Sequence, residues 1–221
     1  RLMVQSATYR MDSSSGESNT NQRADPENRF LWRMNYRRME AELVRDSILS
    51  TAGNLDLAAG GPDLDEKTGE QVLRRSIYFR LSPNDKMAFL ELFDVANPNS
   101  CFRRQVSVIP QQALAISNSS LGLDQARLLA RQLSHQIDDP ADGVFVQAAY
   151  RQVLSRDPTP TEKQLCIEFL IEQREILESA DEPRFSGRGE ASVAPAADPF
   201  MRARENLVHV LYNHNDFVTI R

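Results

Sequence analysis

The chain has 221 residues, a formal net charge of −5 and 26% charged residues, and its acidic and basic side chains are interleaved. This length can bury a sizeable core, and the lack of a basic face argues against nucleic-acid binding. No apolar run reaches the roughly 18 to 20 residues that a membrane-spanning helix requires. The composition therefore predicts a soluble globular protein with some polar, disordered segments.

The N-terminal end of the sequence looks like the last turns of an amphipathic helix over residues 2–9, followed by a polar stretch. The sequence begins with Arg1 and not with an initiator methionine. We therefore expect the chain to be the C-terminal fragment of a larger protein, with any targeting signal upstream. Residues 12–24 contain no large aliphatic side chain and are predicted to be disordered. Residues 179–197, which are rich in Pro, Gly, Ser and charge, receive the same prediction.

Several dipeptides have the chemistry of a helix start, in which a polar side chain caps free N–H groups and proline occupies the first helical position. They are Asp25-Pro26, Asp139-Pro140, Thr159-Pro160 and Asp198-Pro199. Glu162 completes a capping box with Thr159. Their recurrence predicts a mainly α fold.

Apolar periodicity and turn residues give the approximate helix bounds. We expect a helix from Pro26 that breaks near Asn35 and resumes to Ala52, with Gly53 as its stop. Further helices are predicted from Pro110, after Ser120, and over residues 141–154, 160–178 and 199–212. The expected inward face of the 160–178 helix carries Leu165, Phe169 and Ile176, and Asn213 is expected to end the last helix in a left-handed conformation.

One segment has the alternating pattern of a strand, Ser76 to Leu81, with Ile77, Phe79 and Leu81 on one side. Gln105 to Ile109 is the expected pairing partner. The sequence thus predicts a single helical domain over residues 1–221, with a small two-stranded β ribbon and long irregular loops.

Asn97 to Val108 has turn residues, a cysteine, paired arginines and no helical periodicity, and it lies between apolar helices. We expect a buried structural strap whose Arg103 and Arg104 pair with carboxylates of neighbouring helices. Removing either arginine should then cost about 3–5 kcal/mol of stability. The residues assigned to the strap are Asp94, Asn97 and Cys101.

The paired arginines have two interpretations that the sequence leaves open. The first is internal pairing with acids such as Glu42 and Asp46. The second is an anion pocket for sulfate, carboxylate or a sugar acid, with the aromatic residues Trp32, Tyr36, Tyr78 and Phe79 as a stacking wall. The candidate ligand-binding residues of that pocket are Arg74, Arg75, Arg103 and Arg104.

The cysteines and histidines do not define a cofactor site. Neither Cys101 nor Cys166 belongs to a Cys-x-x-Cys-His motif, so no covalent haem is expected in this segment. For Cys101 the open alternatives are a reactive thiol beside arginines, a disulfide with Cys166, and a small buried apolar residue. His209 and His214 are five positions apart, which is wrong for one helical face, so no metal site is predicted.

Several blocks carry a family resemblance, and in chain order they include DPENRFLWRMNYRRMEAELVRDSIL, AGNLDLAAGGP, RRSIYF, FDVANPNSCFRRQVSVIPQQALAISN and AYRQVLSRDPTPTEKQL. Together they resemble the C-terminal domain of unknown function of large planctomycete proteins that also carry a cytochrome-c-like domain. Serine, valine and isoleucine stand at positions 107–109, where that family usually has threonines.

The resemblance implies an exported protein, periplasmic or at the cell surface, with a haem domain elsewhere in the same polypeptide. We therefore expect a non-catalytic structural or binding module that contacts its upstream domains, with an anionic polysaccharide as a further candidate partner. The alternative is part of a hydrolase or haem-coupled oxidoreductase for polysaccharide breakdown, whose site is completed by upstream domains. No catalytic residue is assigned.

Overall fold

The computed structural model describes residues 2–13, 20–100, 104, 107–179 and 191–220. Its contacts divide the chain into two compact units, Arg1–Met39 with Val218–Arg221, and Glu40–Phe217. The first unit contains helices α1 (Leu2–Gln5) and α2 (Thr20–Ala24) and strands β1 (Arg37–Arg38) and β2 (Thr219–Ile220). The second contains helices α3 (Ala41–Thr51), α4 (Ala88–Leu92), α5 (Pro110–Asn118), α6 (Ser120–Gln136), α7 (Asp142–Leu154), α8 (Pro160–Ser179) and α9 (Pro199–Tyr212). The predicted fold class, mainly α with one small two-stranded sheet, is confirmed.

The β ribbon is formed by other residues than expected. Strands β1 and β2 pair antiparallel, with Arg37 opposite Ile220. The predicted strand begins with a 3₁₀ turn over Ser76–Tyr78 instead. Because that turn rotates successive side chains, Ile77 is 59% exposed while Phe79 is only 8% exposed, so the two do not share a face. Positions 105 and 106 of the expected pairing partner lie outside the described residues.

The proline-marked helix starts have different outcomes. At α8 the capping box is confirmed, because the Glu162 N–H donates to Thr159 Oγ1 at 3.2 Å and the Thr159 N–H donates to Glu162 Oε2 at 2.8 Å. At α9 the Asp198 carboxylate caps two N–H groups, as predicted. The helix after Asp139 begins only at Asp142.

The predicted helix at Asp25-Pro26 is wrong. The Asp25 carboxylate does accept the N–H groups of Arg29 and Phe30, at 3.0 and 2.8 Å, but it caps a turn. Asn28 and Leu31 have positive φ, which a helix cannot accommodate. The hydrogen bond from the Phe30 N–H lowers the pKa of Asp25. The regular helix in this part of the sequence is α3, which starts at Ala41 and ends before Gly53, whose φ of +73° fits its predicted role as a stop.

Helices α6 and α9 form the centre of the larger unit, with α7 and α8 packed beside them. The predicted stripe of α6 is buried, as in Leu129 and Ala130. Helices α5 and α6 are joined at Ser119 alone, whose hydroxyl accepts the Gly122 N–H. A Cβ atom at Gly122 would lie 2.4 Å from the Ile116 carbonyl oxygen, so this tight junction requires glycine.

The inward face of α8 differs from the predicted one. Leu165 and Ile176 are 59% and 58% exposed, whereas Leu170 is fully buried. Helix α9 packs against α8, and its Asn206 amide donates to Gln173, one turn after Leu170, at 2.9 Å. Helix α9 itself ends at Asn213 with a right-handed φ of −87°, so the predicted left-handed ending is wrong.

The segments predicted to be disordered lie partly outside the described residues, at 14–19 and 180–190. Thr20–Ala24 forms α2. Residues 191–197 have no regular structure but are held in place, because the buried Asp124 carboxylate accepts the N–H groups of Ser192 and Val193, both at 2.9 Å. The disorder of these two segments stays a prediction, which amide hydrogen exchange can test.

Candidate functional site

An open groove of about 390 Å³ lies in the larger unit, between α3, the segment after the 3₁₀ turn, and α4. The side chains of Phe79, Met87 and Leu90 form its buried floor, with 4–8% of each residue exposed. Ile77 and Leu81, which are 59% and 38% exposed, line it nearer to solvent. This volume lies within the range of about 300–1,000 Å³ for ligand sites, which are lined mainly by apolar side chains.

The groove is lined by one ion pair with an additional acid on its α3 side, and by the polar side chains of Ser76 and Arg80. The Arg104 guanidinium donates to both Glu42 oxygens, at 3.1 and 3.2 Å, and lies 3.7 Å from Glu40. The side chains of Arg104 and Glu42 are 30% and 18% exposed. Bidentate geometry of this kind fixes orientation as well as charge. It supports the internal-pairing interpretation at this arginine.

The strap is anchored at its two ends. The Asp94 carboxylate accepts the Ser107 N–H at 2.6 Å and its hydroxyl at 2.8 Å. The buried Gln112 amide donates to the Leu92 and Ser107 carbonyl oxygens, at 3.0 and 3.3 Å. Asp94 has a φ of +60°, an uncommon conformation for a residue with a side chain. These bonds position the segment that carries Arg104 beside the groove.

The prediction that the strap is buried is wrong for its described residues. Asn97 is exposed and accepts the Asn99 N–H through its side chain, forming a local turn. Val108 is 76% exposed. Cys101 and Arg103 lie outside the described residues. Among its described residues, the strap is held at its anchored ends and at Arg104.

Arg74 and Arg75 are not among the residues that line the groove. Arg74 donates to the carbonyl oxygens of Ala58 and Gly60, at 2.9 and 2.6 Å, and organises the predicted loop after α3. Arg75 lies 3.6 Å from Asp46. Each described arginine of the predicted anion pocket is thus engaged by protein groups in a different place.

The proposed aromatic wall is also dispersed. Tyr78 lies under the Arg74 guanidinium, 4.3 Å from its carbon, and Phe79 lies under Arg45 at 4.8 Å. Trp32 and Tyr36 belong to the smaller unit, where the indole N–H of Trp32 donates to the Asp25 carbonyl oxygen at 2.9 Å.

The most buried charged side chain, Arg45, was missed by the sequence interpretation. It is fully buried and donates to the Gly69 and Arg74 carbonyl oxygens, at 2.9 and 2.8 Å, and to Val72. Its neighbour Asp46 accepts the N–H and hydroxyl of Ser76, at 2.8 and 2.6 Å. Burial lowers the pKa of Arg45 to about 10, although Asp46 opposes the shift.

A signal for Arg45 was present in the sequence. It lies four positions after Ala41 and three before Ile48, so helical periodicity places it on the buried stripe of α3. A charged residue on such a stripe indicates a buried polar network, because an isolated buried charge is too costly.

The histidines and the described cysteine lie in separate surroundings. His209 Nε2 is 3.5 Å from the Ile116 carbonyl oxygen, and His214 Nδ1 accepts the Asp216 N–H at 3.1 Å. Cys166 carries a free thiol 3.7 Å from the Tyr150 hydroxyl, and burial raises its pKa. In the described parts of the chain, no three His, Cys, Asp or Glu side chains cluster so as to hold a metal ion.

The fold and site define a mainly helical protein with an apolar groove beside a surface strap. By sequence, the chain belongs to the family described as PSD1, a protein of unknown function (DUF1553), which matches residues 1–170. No curated protein matches the chain, and no solved structure does. None of the helices that the structure describes is long and apolar enough to cross a membrane.

Proposed function

We propose that this chain is a non-catalytic binding module whose groove accepts apolar side chains of an extended polypeptide segment. The observation that carries the proposal is the groove itself, with its buried apolar floor and exposed apolar walls. Exposed apolar surface of this kind marks interaction sites. We propose further that the segment belongs to an upstream domain of the same exported, haem-bearing polypeptide, which follows from the family resemblance.

A polypeptide fits the groove better than an anionic polysaccharide. The groove is lined by the acids Glu40 and Glu42 and by two arginines, of which Arg104 is paired with Glu42 and Arg80 with Asp63. Because its cations are already paired, such a site offers a sulfated or uronic polymer no excess of positive charge. Contact between the apolar floor and apolar atoms of a ligand, by contrast, would stabilise the complex by about 25 cal/mol per Å² of apolar surface removed from water.

The test is selection from a displayed library of extended peptides, with affinities then measured by fluorescence anisotropy. Ile77→Lys places a charge on the exposed wall, and we expect it to weaken binding by about tenfold or more. Leu165→Lys on α8 is a matched control, because Leu165 and Ile77 are both 59% exposed and only Ile77 lines the groove. We expect the control to bind like the parent.

Two results would contradict the proposal. One is a library that yields no peptide preferring the parent over Ile77→Lys. The other is saturable binding of a sulfated or uronic polysaccharide that is lost in Arg104→Ala while the protein stays folded, which would make the strap an anion-recognition loop.

A further inference from the structure

The smaller unit exposes two consecutive large apolar side chains, Phe30 and Leu31, of which 87% and 64% are exposed. They belong to a turn over residues 28–32, the apolar turn, which ends with the half-buried Trp32. Residues 14–19, which lie outside the described residues of this unit, read SSGESN and offer no apolar side chain to cover it. Exposed apolar side chains grouped in this way mark an interaction site.

The buried Asp25 holds the first half of the apolar turn. Its carboxylate accepts the N–H groups of Arg29 and Phe30, at 3.0 and 2.8 Å. Its carbonyl oxygen accepts the indole N–H of Trp32 at 2.9 Å. Since that N–H is the only polar group of the indole, Trp32 can move into an apolar environment without losing a hydrogen bond to water.

The buried Asn28 holds the second half. Its side-chain oxygen accepts the Arg33 N–H and its carbonyl oxygen accepts the Leu31 N–H, both at 3.2 Å. These bonds keep Leu31 at a φ of +53°, which is uncommon for a large side chain. The N–H groups of residues 29, 30, 31 and 33 are therefore all bonded within the protein. Backbone that enters hydrocarbon must meet this condition, because hydrocarbon offers no hydrogen-bond partner.

The smaller unit is basic, although the whole chain has a formal net charge of −5. Residues 1–39 contain seven arginines and four acidic residues. Arg29, within the apolar turn, is exposed, and so are Arg23 and Arg37. The Asp25 carboxylate is buried and accepts backbone N–H groups. The apolar turn therefore lies in a part of the chain that is attracted to negatively charged surfaces.

We propose that the apolar turn is a membrane-surface anchor, which inserts Phe30 and Leu31 into the interface of a bilayer that contains anionic phospholipids. The two side chains lie among the upper parts of the acyl chains, and the exposed arginines lie near the phosphate groups. A peptide that adds a strand fits this site poorly, because it requires free backbone N–H groups. Two apolar side chains provide modest affinity, so the binding is reversible and sensitive to salt.

Trp32 is the only tryptophan of the chain and lies next to the inserted side chains, so its fluorescence reports on this site alone. The experiment is a titration of the full chain with vesicles made of equal parts phosphatidylcholine and phosphatidylglycerol. We expect the emission to shift to shorter wavelength and to be quenched by lipids brominated in their acyl chains. The response should be weaker with pure phosphatidylcholine, and weaker at high salt, because both reduce the attraction of the arginines.

The variant Phe30→Ser with Leu31→Asn removes both apolar side chains. Asparagine adopts positive φ more readily than leucine does, so the turn should keep its conformation. We expect the vesicle affinity to fall by about tenfold or more. Leu165→Gln is the matched control, because Leu165 is similarly exposed but belongs to α8 of the larger unit. We expect this control to bind like the parent.

Four results would overturn the proposal. They are an emission of Trp32 that does not respond to vesicles, a response without quenching by brominated acyl chains, a double variant that binds like the parent, and equal binding to the two kinds of vesicle. The first would favour a protein partner for the apolar turn, and the second would indicate adsorption by charge alone. If the double variant does not fold, quenching in the parent still decides whether the turn is inserted.

Discussion

Two charged groups of α3, one helical turn apart, use similar chemistry differently. Arg45 is completely buried and bonds to backbone carbonyl oxygens of residues 69–74, while its neighbour Asp46 holds Ser76. Glu42, one turn earlier, pairs with Arg104, whose side chain is 30% exposed. The buried group shapes a loop from inside, and the Glu42–Arg104 pair positions a strap at the surface. Burial, and not the kind of ion pair, separates the two roles.

This difference in burial predicts that removing Arg45 and removing Arg104 will lower the free energy of unfolding by very different amounts. A buried charged donor that satisfies several carbonyl oxygens leaves all of them unpaired when it is removed. An exposed pair is replaced by water at little cost.

The largest effect is expected for Arg45→Met, which keeps the volume of the stem but removes every hydrogen bond of the guanidinium. The carbonyl oxygens of Gly69, Val72 and Arg74 lose a donor, and Asp46 loses its neighbouring charge. We expect a loss of about 3–5 kcal/mol of unfolding free energy, measured by urea denaturation. A variant that unfolds at the same urea concentration as the parent would remove the distinction between the buried Arg45 group and the Glu42–Arg104 pair.

Asp124→Asn extends the comparison to a buried carboxylate that also holds irregular backbone. The change weakens bonds to Ser192 and Val193 that a charged acceptor strengthens, and because asparagine keeps one acceptor oxygen we expect a total loss of about 1.5–3 kcal/mol. In the parent, the amide hydrogens of Ser192 and Val193 should exchange slowly, and in the variant they should exchange faster. Fast exchange at both amides in the parent would contradict the observed hydrogen bonds.

Glu162→Gln tests an ion pair whose side chains, 29% and 26% exposed, are about as exposed as those of Arg104 and Glu42, but whose carboxylate also caps α8. Arg156 donates to both Glu162 oxygens, at 2.9 and 2.6 Å, and this bond lowers the pKa of Glu162 to about 2. A carboxyl group with a lowered pKa stabilises the folded protein at pH values above its ordinary pKa of 4.5. This contribution is lost as the pH falls through about 2. We expect Glu162→Gln to lower stability by about 1 kcal/mol at pH 7.

Thermal melts of the parent and Glu162→Gln between pH 7 and pH 2 provide the check. The difference between the two proteins should shrink as the pH falls below 4.5. Because the cap is a local feature, Gln164→Ala, which removes an exposed side chain on the same helix, is a suitable control. A difference that stays constant over this range would show that the Glu162 charge is not involved.

The smallest effect is expected for Arg104→Ala. The paired side chains are 30% and 18% exposed, so their separation should cost only about 1 kcal/mol or less, below the 3–5 kcal/mol or so that a fully buried strap would imply. Urea denaturation beside Arg45→Met measures the exposed and the buried charged group of α3 in one series. A loss at Arg104 as large as that at Arg45 would restore the buried-strap interpretation.

Local chemistry accounts for what was predictable in the fold. The capping box of Thr159 and Glu162 and the Asp198 cap involve residues close in sequence, and both formed as expected. The failure at Asp25 shows the limit of such signals. A cap supplies only about 1 kcal/mol, and Phe30 and Leu31, which are 87% and 64% exposed, give the following residues no buried face to favour a helix.

For the groove, the sequence identified Arg104 and the acids beside it, but not the apolar floor that makes it a site. Phe79, Met87 and Leu90 come together in a region where Arg45 and Asp46 hold the loop after α3 against that helix. That loop is built from hydrogen bonds between residues 24 to 31 positions apart. The residue pattern within α3 or within the loop does not indicate these long-range hydrogen bonds.

The sequence by itself determined that the protein is mainly helical, where most of its longer helices begin, and the stripe that α6 buries, because these depend on interactions over one or two turns. Only the tertiary structure determined which face of α8 points inward, which groups bind the backbone of residues 191–197, and where the ribbon forms. In each case the deciding partner is distant in sequence, as Asn206 is for α8, Asp124 for Ser192, and Thr219–Ile220 for Arg37–Arg38. Burial and hydrogen bonding to such partners outweigh the weak local preferences of short segments.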